Sequence, residues 1–317
     1  VARATSVRGV GLFTAARATL TIRPAERARA GLVFRRIDLP GRPLIPALVS
    51  HLAPDSRHTL LRLDPADPRS PEVHTTEHVL SALAGMGVTD APLDLDGPEV
   101  PIADGSAAPF VEAVRQAGIA PLGATQGDGA FPGADSLPAE PIEVRDAAGA
   151  TVTWHPPPPT PPPPASPTPA TPPPGATTEE CSLHLEYHLD YGPGSPIPRQ
   201  TASLDIAWTP RGPRSAYAEQ VAPARTFCLK AEARAFRAAG LFGHLGPADM
   251  LVIDDDGRPI ENALRFPDEP ARHKLLDLLG DLALVGVPLA GRVVARRSGH
   301  ALNHALAAAI DRARATA

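Results

Sequence analysis

Three well-separated segments of this 317-residue chain concentrate its reactive side chains: His74-Thr75-Thr76-Glu77-His78, Arg272-His273-Lys274-Leu275-Leu276-Asp277-Leu278-Leu279-Gly280-Asp281, and Ser298-Gly299-His300. On a helix, His273 and Asp277 are four residues apart and lie one turn above each other, where an imidazole and a carboxylate can grip a single metal ion. A nitrogen from His78 completes the three-protein-ligand pattern of catalytic zinc and leaves the fourth position for water. Glu77 points roughly 100° around the helix from His78, so it can stand beside that water as a base instead of on the ion. Asp281 carries the polar stripe to a third turn, opposite an apolar face of Leu275, Leu276, Leu279 and Leu282. A lone His-x-x-x-Asp is more often an ordinary polar pair, so the weight falls on the coincidence of all three segments. Only Lys230 and Lys274 are lysines, against 28 arginines, which draws attention to Lys274 among the candidate ligands.

Two other readings of the same residues compete. His74-x-x-Glu77-His78 matches the H-x-x-E-H pattern of inverted zinc metalloproteases, with the histidines one helical turn apart. That reading leaves the segments around His273 and His300 unexplained. A catalytically inactive scaffold, recruiting a partner through its proline-rich tract, leaves the full set of Glu77, His78, His273, Asp277 and His300 without a purpose.

The elements that must position these residues read as α+β. Period-two alternation predicts strands at Ala18 to Ile22 and Gly31 to Arg35. Thr75 or Thr76 can cap a helix running to about Met86, and Ser106 a second helix that carries Phe110, Val111 and Val114 inward. This closes an N-terminal domain, 1–119. Residues 120–140, rich in Gly, Ala, Pro and Asp, read as a linker to a C-terminal domain, 141–317. Strands at Ile142 to Arg145 and Thr151 to Trp154 lead into a tract from Pro156 to Pro174 holding 13 of the 40 prolines. Proline lacks the amide donor, so 156–175 reads as an extended or disordered insertion in a hairpin between Thr151–Trp154 and Leu183–Leu189. At about 3.1 Å per residue it can project roughly 60 Å. A strand-helix-strand unit follows at about 229–253. Asp268 caps a helix containing His273 to Leu284, and Ser298 or Gly299 opens a last helix through His300 to Ala313.

Composition narrows the partners. A net charge of −5 gives no global attraction to nucleic acid or an anionic membrane. No run approaches the roughly 18 apolar residues of a membrane span, and Val1 to Leu20 lacks a signal-peptide core, so cytoplasm is the expected compartment. Cys181 and Cys228 form no CxxC pair and are expected to be reduced. Partner domains for the proline tract are left open, and a monomer is expected.

At the level of whole motifs the chain resembles the UDP-3-O-acyl-N-acetylglucosamine deacetylases (LpxC) of lipid A synthesis. The resemblance is carried by His74 to Asp90, by Pro98-Glu99-Val100-Pro101-Ile102-Ala103-Asp104-Gly105-Ser106-Ala107, by Ala224-Arg225-Thr226-Phe227, by Leu264 to Asp281, and by Ser298-Gly299-His300-Ala301-Leu302-Asn303. It implies two similar domains, each a layer of helices on a mixed sheet, with the active site between them. It also implies Zn2+ on His78, His273 and Asp277, with Glu77 as general base. Thr226 would donate to the oxyanion, and His300, oriented by Asp281, would stabilise charge near the leaving amine. Lys274 and Arg297 would meet the diphosphate of a UDP-linked acylated amino sugar, with Phe227 and Gly299 also contacting substrate. The 229–253 unit would form a passage for the acyl chain, lined by Phe227, Leu241 and Phe242. The chain departs from the family at Phe13, where a histidine is usual, at Cys228, where glycine is common, at His244 in a usually glycine-rich turn, and at His74, where a small hydroxyl is usual. Deleting Pro156 to Pro174 is expected to leave kcat/KM within about twofold of the intact chain, because loop-closure cost grows only logarithmically with length; acetate-release kinetics on the folded deletion variant check this.

Overall fold

The computed structural model describes residues 1–54, 57–121, 137–158, 182–209, 212–246 and 249–316. Most of the expected linker, nearly all of the proline tract and Cys181 lie outside the described residues.

The first part of the chain forms β1 (Thr5–Val10), β2 (Arg17–Ile22), β3 (Leu32–Arg36) and β4 (Leu44–Pro46), then a short ribbon of β5 (Leu61–Arg62) and β6 (Glu72–Val73). Helix α1 (Glu77–Gly85), β7 (Ala91–Leu95) and α2 (Ala108–Ala117) follow. The sheet order is β1-β2-β7-β3-β4, with β3 and β7 parallel and the other pairs antiparallel. On β2 the alternation seen in the sequence is real: Ala18, Leu20 and Ile22 point into the core while their neighbours do not.

The second part forms β8 (Ile142–Arg145), β9 (Thr151–His155), β10 (Ser182–Leu189), β11 (Gln200–Ala207), β12 (Arg214–Ser215) and the short helix α3 (Tyr217–Gln220). The unit β13 (Phe227–Leu229), α4 (Lys230–Ala238) and β14 (Leu251–Ile253) comes next, its two strands parallel. Helix α5 (Glu269–Leu282), β15 (Gly291–Arg296) and α6 (His300–Arg314) complete it. This sheet runs β12-β11-β10-β15-β9-β8, with β10 and β15 its parallel pair. The fold is therefore α+β on two mixed sheets, and the two halves share a plan. In each, a helix lies in the crossover between the parallel strands, α1 from β3 to β7 and α5 from β10 to β15, and another helix follows the returning strand.

The hairpin expected between Thr151–Trp154 and Leu183–Leu189 is not formed, because β15 sits between those strands, antiparallel to β9 and parallel to β10. Val293 and Ala295 fill the covered face there, and Gly291 at φ 101° admits the carbonyl of His155, which would stand 2.1 Å from an added Cβ. The preference of neighbouring strands for hairpins yields to the crossover topology. The helix caps also differ from expectation. Thr76 precedes α1, but its hydroxyl donates to the carbonyl of Thr59 (3.2 Å), and the hydroxyl of Thr75 donates to Glu99 (2.6 Å). Asp268 precedes α5, but its carboxylate accepts from Arg272 Nε (2.7 Å).

Helices α1 and α5 pack directly against each other between the sheets. The contact closes at Gly280, where an added Cβ would lie 2.1 Å from the carbonyl oxygen of Glu77. Gly280→Ala is expected to destabilise the fold by about 1–3 kcal/mol through overpacking, in spite of alanine's better helix propensity. A lower urea midpoint with unchanged slope is the measurement.

Candidate metal centre

The N-terminus of α1 and the middle of α5 bring His78, His273 and Asp277 together, with one ligand atom from each lying within 4.8 Å of the others. Asp277 Oδ1 is 3.4 Å from His273 Nε2 and 3.8 Å from His78 Nε2, and all three side chains are buried. The rings stand edge to face at 5.1 Å and 89°. His273 Nδ1 bonds the carbonyl of Ala224 (3.1 Å), so it carries the proton and leaves Nε2 bare toward the cluster. Burial drives both imidazoles toward the neutral form, His78 down to about 3. Burial alone would raise the Asp277 carboxyl, but His273, Lys274 and His300 hold it well below the usual carboxylate range.

Asp277 Oδ1 and His78 Nδ1 are buried without a hydrogen-bond partner among the described residues. Such atoms are costly to leave unmatched. A cation among two neutral imidazoles and a carboxylate would satisfy Asp277 Oδ1, and the residues present fit a metal ion of the kind that takes mixed nitrogen and oxygen ligands.

Around this cluster lie the other expected residues. Glu77 Oε2 accepts from the amide of Thr59 (3.2 Å), and Oε1 is 4.0 Å from His300 Nε2. Burial pushes the Glu77 carboxyl up to about 8; His300 opposes this, and Asp281 and Asp277 reinforce it. His300 Nδ1 donates to Asp281 Oδ2 (2.9 Å), while Nε2 is 3.8 Å from Asp277 Oδ2. Burial works against an imidazolium here, but Asp281, Asp277 and Glu77 outweigh it and raise His300 to about 9. Asp281 also takes bonds from Asn303 Nδ2 (2.9 Å) and Thr59 Oγ1.

Lys274 Nζ bonds Asp277 Oδ2 (2.9 Å) and lies 5.8 Å over the ring of Phe227. Phe227 in turn stands edge-on to His273 at 6.2 Å. Thr226 follows two residues after Ala224, its amide donating to Gly105 O (2.7 Å) and its carbonyl accepting from Leu251 (2.9 Å). Gly299 precedes α6 with open space on its Cβ side. Arg297 is turned elsewhere, its guanidinium donating to the carbonyls of Ala148 (3.3 Å) and Gly149 (3.0 Å) between β8 and β9.

The H-x-x-E-H alternative fails on geometry. Thr75 has φ 57°, α1 starts only at Glu77, and His74 points away, bonded to His58 (2.9 Å) and Glu72 (2.9 Å). Sequence reasoning missed Thr59, His304 and Glu99. His304 Nε2 lies 3.2 Å from Asp281, and its spacing of four from His300 on α6 was a signal of that. Glu99 is fully buried and clamps the Phe13–Thr14 loop through both amides and the Thr14 hydroxyl (2.7–3.1 Å). Phe13 has a packing role here: it stacks on His58 at 4.1 Å and meets Phe242 edge-on at 5.3 Å. His244 reaches the same loop, bonding Gly11 O (2.9 Å). Cys228 is a free, buried thiol, pushed up to about 11 by burial. Among the described residues, no helix is long and apolar enough to cross a membrane.

Twin mixed sheets, with a His-His-Asp cluster at the helix contact between them, define a two-part α+β protein able to hold a metal ion beside a carboxylate and an imidazolium. The family model described as UDP-3-O-acyl N-acetylglycosamine deacetylase matches residues 1–156 and 174–312, and the chain belongs to that family, LpxC. It is similar to the UDP-3-O-acyl-N-acetylglucosamine deacetylase of Anaeromyxobacter sp. (strain Fw109-5), 35% identical over 96% of this chain and 86% of the relative. The protein of that name from Thermosynechococcus vestitus is 35% identical over 96% of this chain and 91% of its own length. That from Myxococcus xanthus is 34% identical over 95% and 82%.

The raised groups set a pH dependence for the metal-free fold. The contribution of His300 is full below its unfolded value of 6.5 and is lost as pH rises through about 9. Glu77 binds its proton more tightly folded than unfolded, so stability also falls as pH rises from 4.5 through about 8. The urea midpoint of metal-free protein is expected to drop between pH 6.5 and 9, with Glu77→Gln flattening the lower part of that drop.

Proposed function

We propose that the protein is a zinc-dependent deacetylase that hydrolyses the acetamide of UDP-3-O-acyl-N-acetylglucosamine, giving UDP-3-O-acyl-glucosamine and acetate in lipid A biosynthesis. The observation that carries this reading is the convergence of His78, His273 and Asp277 with Glu77 and His300 beside them, in a chain whose family and relatives bear that name. Zinc suits two neutral imidazoles and one carboxylate with a position left open. When bound, the ion supplies Lewis-acid polarisation of the acetamide carbonyl and a positive field that draws Glu77 toward its ionised form.

The side chains divide the remaining work. Glu77, held at Oε2 by the Thr59 amide, accepts a proton from the attacking water. His300 is kept cationic by Asp281 and stabilises negative charge as the tetrahedral state forms, and it or Glu77 returns a proton to the leaving nitrogen. Thr226 is the proposed donor to the oxyanion. Lys274 and Gly299 line the approach of the sugar, and Phe227 meets its acyl arm at the start of the β13-α4-β14 unit. Lys274 supports the diphosphate reading better than Arg297, whose guanidinium is engaged at the β8–β9 turn. The cytoplasm is the compartment that a nucleotide-linked substrate implies, and one chain carries all the groups named.

The test is acetate release from UDP-3-O-acyl-N-acetylglucosamine by protein carrying one equivalent of zinc. Glu77→Gln is expected to keep its zinc and lose about a hundredfold or more in kcat, whereas Asp277→Asn loses zinc affinity itself. A zinc-loaded protein that releases no acetate overturns the reading.

A further inference from the structure

Thr59 is fully buried and sits between the two carboxylates that flank His300. Its amide donates to Glu77 Oε2 (3.2 Å), and its hydroxyl donates to Asp281 Oδ1. The hydroxyl has one proton, and an ionised carboxylate can only accept, so His304 Nε2, 2.9 Å from Thr59 Oγ1, must carry its own hydrogen. The Thr59 carbonyl accepts from the amide and the hydroxyl of Thr76, both at 3.2 Å, just before α1. On the other side, His58 is stacked on Phe13 at 4.1 Å and bonded to His74 (2.9 Å), which is bonded to Glu72 (2.9 Å). Every backbone and side-chain polar group of Thr59 is thus tied to a part of the molecule that is itself fixed.

We propose that Thr59 is a positioning residue for the reaction: its amide occupies one oxygen of Glu77 and its hydroxyl one oxygen of Asp281, so that each carboxylate has its other oxygen directed at His300. The distances follow that division. Glu77 Oε1 faces His300 Nε2 at 4.0 Å, and Asp281 Oδ2 takes His300 Nδ1 at 2.9 Å. Removing the hydroxyl leaves Asp281 Oδ1 only the longer contact from His304 Nε2 (3.2 Å), so the carboxylate, and with it the tilt of the imidazole between the two carboxylates, is held less firmly. The loss falls on the chemical step, because no group assigned to substrate binding touches Thr59.

The kinetic part of this inference rests on the deacetylase reading; its geometric part does not. Thr59→Val removes the hydroxyl at constant shape, Thr59→Ala removes it with no added bulk, and Thr59→Ser keeps it. In zinc-loaded protein, Val and Ala are expected to lower kcat by about tenfold to a hundredfold with KM and zinc content unchanged, and Ser to stay within about threefold of the parent. By NMR, without substrate, the His300 Nδ1 proton is expected to exchange with solvent about tenfold faster in Val and Ala, and at the parent rate in Ser. Parent-like kcat in Val and Ala, equal losses in all three variants, or an unchanged imidazole proton overturns the proposal. A parent protein that releases no acetate sinks the deacetylase reading instead, and the imidazole proton then decides on Thr59 alone.

Discussion

A cluster shared by two halves of a chain requires their helices to meet at backbone distance, and here that requirement is met at one residue. Gly280 on α5 lies against the Glu77 carbonyl on α1, with no room for a side chain between them. On either side of that contact, Asp277 and Asp281 of α5 face Glu77 and His78 of α1. Because each helix occupies the crossover of its own sheet, the parallel pairs β3/β7 and β10/β15 set the approach of the helices, and the sheets hold the side chains at their separations.

Three carboxylates are buried within this small volume, and the donors around each decide its state. Asp281 is saturated by His300, Asn303 and Thr59, with His304 adjacent, and stays ionised although burial opposes it. Asp277 has His273 and Lys274 as cationic or polar neighbours and one oxygen with no hydrogen-bond partner among the described residues. Glu77 has the amide of Thr59 and a distant imidazole, so burial wins and its proton is held tightly. A carboxyl poorly supplied with donors next to two well-supplied ones is an acid-base group set apart from anchoring groups by its surroundings, not by its residue type.

Much of this was legible in the sequence, and the parts that were not share a cause. Helices α1, α2, α5 and α6 announced themselves by apolar periodicity and by the residues that start and stop them. The i,i+4 spacing of His273 and Asp277 is enough by itself to put both on one helical face. Two interior strands did not announce themselves: β7 contains Pro92, which argues against an interior strand, and β15 follows Pro288 closely. Strand order depends on which segments meet across the fold, and local pattern does not carry that. The same holds for Thr59 and Glu99, whose importance lies wholly in partners 17 to 245 and 24 to 86 residues away. Thr76 and Asp268 gave correct helix starts for a reason that the structure does not use, since their side chains serve other bonds.

The position of β15 sets the order in which the molecule can be completed. As the chain leaves the ribosome, β8, β9, β10 and β11 are made early, yet the gap between β9 and β10 waits for residues 291 to 296 to fill it. Until then two edges lie open side by side, each able to pair with the wrong strand. His300 follows that closing strand by only a few residues. The closing strand and the imidazolium are thus delivered by the same late stretch of chain, after the metal-binding side chains His78, His273 and Asp277 have been made.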